Sequence, residues 1–83
     1  MARKEVTVIG NIYYYNDQDR LHREDGPAVE FNNGYKAWLI NGMRHRIDGA
    51  AIEYATGIKS YFIIGKHYSY ENWLAIKDYS LLW

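Results

Sequence analysis

Residues 21–43, LHREDGPAVEFNNGYKAWLINGM, run without a gap into residues 44–66, RHRIDGAAIEYATGIKSYFIIGK. In register, ten of the 23 positions are identical: His22/His45, Arg23/Arg46, Asp25/Asp48, Gly26/Gly49, Ala28/Ala51, Glu30/Glu53, Gly34/Gly57, Lys36/Lys59, Ile40/Ile63 and Gly42/Gly65. Others exchange like for like, as in Val29/Ile52, Phe31/Tyr54, Trp38/Tyr61 and Leu39/Phe62. Self-similarity at a fixed step is the mark of a tandem repeat, in which each unit is one supersecondary element that buries its apolar face against the next.

Within a unit, Ala28–Phe31 and Tyr35–Ile40 flank Asn32-Asn33-Gly34, and Ala51–Tyr54 and Ile58–Ile63 flank Ala55-Thr56-Gly57. Asn and Gly tolerate the positive φ that tight turns demand, so each unit reads as a β-hairpin. His-Arg-x-Asp-Gly precedes each hairpin and reads as the connection between successive ones. Trp38 and Ile40 alternate with Ala37 and Leu39, which makes that strand apolar on both sides. Stepping back 23 from Trp38 lands on Tyr15, so Ile12–Tyr15 reads as half of an earlier unit, and Val6–Ile9 as an edge strand. Ser69 is placed to cap a helix over Tyr70–Tyr79, with Glu71 in its first turn. The expected fold is mainly β: an antiparallel meander of tandem β-hairpin repeats of 23 residues with a short C-terminal helical cap. It forms one domain over 1–83, divided into 1–20 (partial repeat), 21–43, 44–66 and 67–83.

A chain of 83 residues buries only about 60% of its unfolded surface. Cysteine is absent, which excludes disulfides and thiolate zinc sites as compensation. Nine Tyr, three Trp and two Phe supply apolar mass instead. With two whole units only, the pattern also implies self-association. Ten basic and ten acidic residues cancel, which argues against a DNA or RNA backbone binder. The start of the chain is too short and polar for a signal peptide, and no apolar run reaches the roughly 20 residues of a membrane span. A soluble cytoplasmic protein is the expectation.

LHREDGPAVE, followed by a Gly-x-Lys-x-Trp strand and Asn41-Gly42, resembles a family of short tandem repeats common in phage and other viral genomes, with units of the form His-Arg-x-Asp-Gly-Pro-Ala between Trp/Tyr-rich hairpins. These are similar to MORN repeats. The segment from Gly65 to Trp73 resembles the closing of such arrays, where the last hairpin runs into a helix. The resemblance covers about residues 12–76. Ala50 departs from it by standing where Pro is usual, and the array is short. The resemblance implies a phage protein in the host cytoplasm that binds and disables a host defence or takeover protein.

Two polar clusters recur, His22-Arg23-x-Asp25 and His45-Arg46-x-Asp48. They read in two ways. As sites, they are a pair of anion or nucleotide pockets, with Arg forking onto phosphate and Trp38, Tyr61, Tyr13 or Tyr15 stacking a base. As scaffold, Asp stabilises the turn and Arg pairs with Asp or with Glu30 and Glu53. Glu30 with Lys36 and Glu53 with Lys59 read as cross-strand ion pairs. Tyr13 and Tyr15 share a sheet face opposite Tyr14, and the run reads either as a candidate interface or as packing beneath the C-terminal helix. His22, His45 and His67 lack metal-ligand spacing, no nucleophile constellation or phosphate loop is present, and no cofactor is expected. The function expected is non-enzymatic binding of a host protein through an aromatic β surface. The alternatives are a sponge for a nucleotide or other anionic signal, and a structural virion accessory protein.

Overall fold

The computed structural model describes residues 2–79. In chain order it contains β1 (Arg3–Val6), β2 (Ile12–Tyr15), β3 (Val29–Glu30), β4 (Lys36–Ala37), β5 (Leu39–Ile40), β6 (Met43–Arg44), β7 (Ile52–Glu53), β8 (Lys59–Ile63), β9 (Lys66–Tyr68) and the helix α1 (Tyr70–Ile76). Every strand pair is antiparallel. The main sheet has the order β1-β2-β3-β4-β7-β8-β9, and β5 pairs with β6 beside it.

Backbone hydrogen bonds join these pieces into one meander. The Arg23 N–H donates to the Leu39 carbonyl and the Gly42 N–H to that of Leu21, so residues 21–23 continue the β3 line along β5. The His45 N–H donates to the Trp38 carbonyl, and the Trp38 N–H to that of Ala51, so β6 and β7 lie along the β4–β5 line. The interruption has one cause. Ladder bonds from Arg23 and Ala28 reach Leu39 and Ala37, leaving residues 24–27 extruded. Those from Arg46 and Ala51 reach Phe62 and Ser60, leaving 47–50 extruded. His-Arg-x-Asp-Gly is therefore an enlarged bulge inside a long strand. The expectation that it connects hairpins is corrected, because the chain does not reverse there.

The chain reverses instead at two tight turns that link the units. Ile40 pairs with Met43 and Ile63 with Lys66, enclosing Asn41-Gly42 and Ile64-Gly65. Their φ angles are 49° and 80°, then 45° and 79°. Positive φ at both central residues is the type I′ geometry that suits strand twist. Asn and Gly adopt it readily, whereas an L side chain such as Ile64 gives up about 1–2 kcal/mol there.

The preceding turn is longer. Tyr15 bridges to Leu21 around residues 16–20, and the Asn16 Oδ1 accepts from the Gln18 and Arg20 N–H groups at 2.9 and 3.1 Å. Leu39 pairs with Arg44 around residues 40–43, one residue fewer. The structural counterpart of Trp38 is consequently Tyr14, not Tyr15. At the N-terminal edge, β1 is Arg3–Val6, and Thr7–Asn11 forms the turn to β2, so the strand expected over Val6–Ile9 lies earlier.

Register sorts the two faces. Tyr13, Val29, Ala37, Ile52 and Ser60 stand opposite one another on one side, and Ile12, Glu30, Lys36, Glu53 and Lys59 on the other. The core groups Ala28, Val29, Ala37, Leu39 and Ile52, with Tyr13, Leu21, Phe31, Tyr35 and Phe62 packed against it. α1 closes the far end against β8 and β9. Its N-cap is Ser69, whose Oγ accepts from the Asn72 N–H at 3.2 Å. It ends at Ile76 rather than Tyr79, with Lys77–Tyr79 in a turn. Its one buried side chain is Trp73, whose ring lies 4.8 Å from that of Tyr61 and whose Nε1–H donates to the Arg46 carbonyl at 3.0 Å. Trp73→Ala removes that packing and orphans the carbonyl. We expect it to cost about 3–5 kcal/mol, read as a lower urea midpoint with an unchanged slope.

Candidate functional site

Each extruded bulge is organised by its arginine. The Arg23 Nε–H donates to Asp25 Oδ1 at 3.0 Å, and Nη1 donates to the Pro27 carbonyl at 3.2 Å and to Glu30 Oε2 at 3.4 Å. Arg46 repeats the set on Asp48 at 2.9 Å, the Ala50 carbonyl at 3.0 Å and Glu53 at 3.2 Å. The guanidinium planes lie over the aromatic ring of the preceding strand, 4.1 Å from the Tyr14 centroid and 3.7 Å from that of Trp38. On the other side stands glycine. A Cβ on Gly26 would come within 2.9 Å of Arg23 Cζ, and one on Gly49 within 2.8 Å of Arg46 Cζ. Arg, Asp and Gly of the repeat thus serve one object, a guanidinium sandwiched between a ring and a bare α-carbon and neutralised at its edge. Position 27/50 contributes only a carbonyl, which is why Ala50 works where Pro27 stands in the first unit.

The histidines brace the neighbouring turns. His22 Nδ1 accepts from the Asn41 N–H and His45 Nδ1 from the Ile64 N–H, each at 3.0 Å. An accepting Nδ1 carries no proton, so the neutral ring has its hydrogen on Nε2. In His22 that nitrogen lies 3.3 Å from Glu24 Oε2. Burial lowers the pKa of His45 below its ordinary 6.5.

Two clefts adjoin the bulges. One, of about 680 Å³, lies between the N-terminal strand and the first bulge and is lined by Arg3, Lys4, Tyr14, Tyr15, His22 and Arg23 among others. The second, of about 890 Å³, lies between the two bulges and includes Arg23, Trp38, His45 and Arg46. The positions recur as the repeat implies, but the donors face inward: the side chains of Arg23 and Arg46 are 25% and 21% exposed, while Glu24, Asp25 and Asp48 are 83%, 88% and 83% exposed. An anion entering the second cleft meets carboxylates first. The observed pairing is that of the scaffold alternative.

The other candidates divide between the faces. Trp38 lies under Arg46, and Tyr61 is covered by Tyr70 and Trp73, with centroids 5.1 and 4.8 Å away. Tyr13 and Tyr15 stand on the opposite side, 6.5 Å apart, at one end of a run of rings. From Tyr13 it passes to Phe31 at 6.1 Å, to Tyr35 at 5.0 Å and to Tyr54 at 5.7 Å. Sequence reasoning missed this continuation, although the Phe31/Tyr54 exchange in the repeat marked it. It also missed Tyr14 as the first stacking platform and Gly26 and Gly49 as close-approach positions. The cross-strand ion pairs expected of Lys36 and Lys59 are corrected. Glu30 and Glu53 pair with Arg23 and Arg46 instead, because the guanidinium reaches them from above.

No protein-family model, curated protein or solved structure matches the chain. The function therefore rests on the two faces.

Two outcomes test the bulge. Gly49→Ala forces the guanidinium of Arg46 off Trp38 and is expected to cost about 1–3 kcal/mol, with Trp fluorescence altered in the folded state. His45 titrates below its unfolded value, so the unfolded chain binds that proton more tightly. The stability it contributes is complete above about pH 6.5 and is lost as pH falls through 6.5 toward the folded pKa. Thermal melts between pH 7.5 and 5 on the order of half-unit steps should show a fall in Tm that is smaller in His45→Gln.

Proposed function

We propose that this protein is a non-catalytic binding protein that engages a protein partner through its aromatic sheet face. One observation carries the reading: Tyr15, Tyr13, Phe31, Tyr35 and Tyr54 form a continuous run of rings on the face opposite the bulges. α1 packs at the β8–β9 end, and Tyr54 is 41% exposed. Aromatic residues carry a large share of interface energy. Rings that already pack on one another lose little rotamer freedom on docking. The molecule measures 40 × 31 × 17 Å, so its broad side can present the roughly 800 Å² per partner of a standard interface. No helix among the described residues is long and apolar enough to cross a membrane.

The resemblance of the His-Arg-x-Asp-Gly units to viral tandem repeats supports a phage origin, with a bacterial host protein in the host cytoplasm as the partner. Among the described residues the outer edge of β1 has no strand beside it, which supports self-association within the same reading.

The test is capture from bacterial lysate with three baits: the native chain, a Tyr15→Ala/Tyr54→Ala variant of the ring face, and a Lys36→Ala/Lys59→Ala variant of the opposite face. The expected result is a protein retained by the native chain and the lysine variant and lost by the tyrosine variant. A partner held equally by all three, or none at all, overturns the reading. Light scattering of the native bait at micromolar concentration should show more than monomer; monomer alone removes the self-association and leaves the ring face in place.

A further inference from the structure

The cleft between the two bulges differs from its N-terminal counterpart in a way the repeat does not require. Its lining includes Ile40, Met43, Ile47 and Ile64, with the Trp38 ring beneath the Arg46 guanidinium. In the first cleft, Arg3, Lys4, Asn16, Asp17, Gln18 and Asn41 line the wall. The rim of the second carries Glu24, Asp25 and Asp48, whose carboxylates stand in solvent above the stacked guanidiniums. Asp25 and Asp48 pair with Arg23 and Arg46, which also line the cleft, so three carboxylates against two guanidiniums leave net negative charge at the mouth beside an apolar wall.

Ile64 gives the second, independent indication. It occupies the first central position of a type I′ turn at φ 45°, where Asn41 stands in the first unit at φ 49°. A β-branched side chain is strained there, and this one is also exposed, so it contributes little to the core. Its side chain faces the cleft. Strain retained at an exposed position, where the same fold uses Asn one unit earlier, points to a task for the side chain itself.

We propose that this cleft is a docking site for a short basic segment of a protein, with an apolar side chain entering against Ile40 and Ile64 and Lys or Arg side chains reaching the rim carboxylates. The charge of the rim selects the occupant: phosphate-bearing ligands are repelled by the groups that a cationic peptide pairs with. The site lies on the face opposite the run of rings, so it is independent of the partner proposed for that face.

The probe is a rhodamine-labelled Lys-Leu-Arg-Leu-Lys peptide followed by fluorescence polarisation, with Glu-Leu-Glu-Leu-Glu and Lys-Ser-Arg-Ser-Lys as controls. The basic apolar peptide should bind saturably and lose affinity as salt rises, and the controls should bind far more weakly. Glu24→Lys, an exposed change outside the arginine network, should weaken binding about tenfold. Ile64→Asn should move two quantities in opposite directions: Tm rises as the turn relaxes, and affinity falls about tenfold as apolar contact is lost. The proposal is overturned by equal binding of the acidic and basic peptides. It is equally overturned by no saturation up to about 1 mM, or by an Ile64→Asn variant that gains Tm and binds as the native chain does.

Discussion

A guanidinium held flat between an aromatic ring and an α-carbon without a side chain is the contact on which the rest of this structure depends. Extruding residues 24–27 and 47–50 from their strands removes ladder bonds and turns the carbonyls of Pro27 and Ala50 away from any neighbouring strand. Arg23 and Arg46 recover those carbonyls, pair with two carboxylates each and cover a ring that would otherwise face water. The alanines beneath, Ala28 and Ala51, are fully buried. Without cysteine, a chain this small needs such local closures to supplement a thin core.

The same contact divides the labour of the two faces. Because the bulges fold over one side only, that side becomes polar and ridged, with clefts at repeat spacing. The other keeps the alternation of the strands unbroken and gathers the rings of Tyr13, Phe31, Tyr35 and Tyr54. The first presents exposed carboxylates and whichever residue lines each turn, and the second presents a broad run of rings.

Much of this was legible in the residues. The step of 23, the hairpin strands of the two whole units, the turns at Gly34 and Gly57 and the Ser69 cap all follow from local chemistry, and the structure places them accordingly. The nature of His-Arg-x-Asp-Gly was not legible. Asp-Gly chemistry is the same whether a chain reverses or bulges, and only the strand across from it, with Trp38 or Tyr61 facing the gap, distinguishes the two. The one-residue offset between Tyr14 and Trp38 was hidden for a related reason, since identity by counting assumes equal turns and residues 16–20 are longer. The partner of Glu30 was misread because Lys36 is adjacent in register, whereas Arg23 approaches through the third dimension. Of the candidate site residues, the arginines and histidines were recognised by recurrence, and their inward orientation was the part that periodicity could not supply.

Tyr14 receives Arg23, Trp38 receives Arg46, and in the third place Tyr61 receives Trp73. An indole from a helix thus takes the seat that a further module would fill with its arginine. Chain growth is arrested by a counterfeit: the same socket accepts either continuation or termination. The number of modules is consequently a property of a single seam near Gly65, and proteins of different reach could be spliced from one pattern by moving that stopper along the polypeptide.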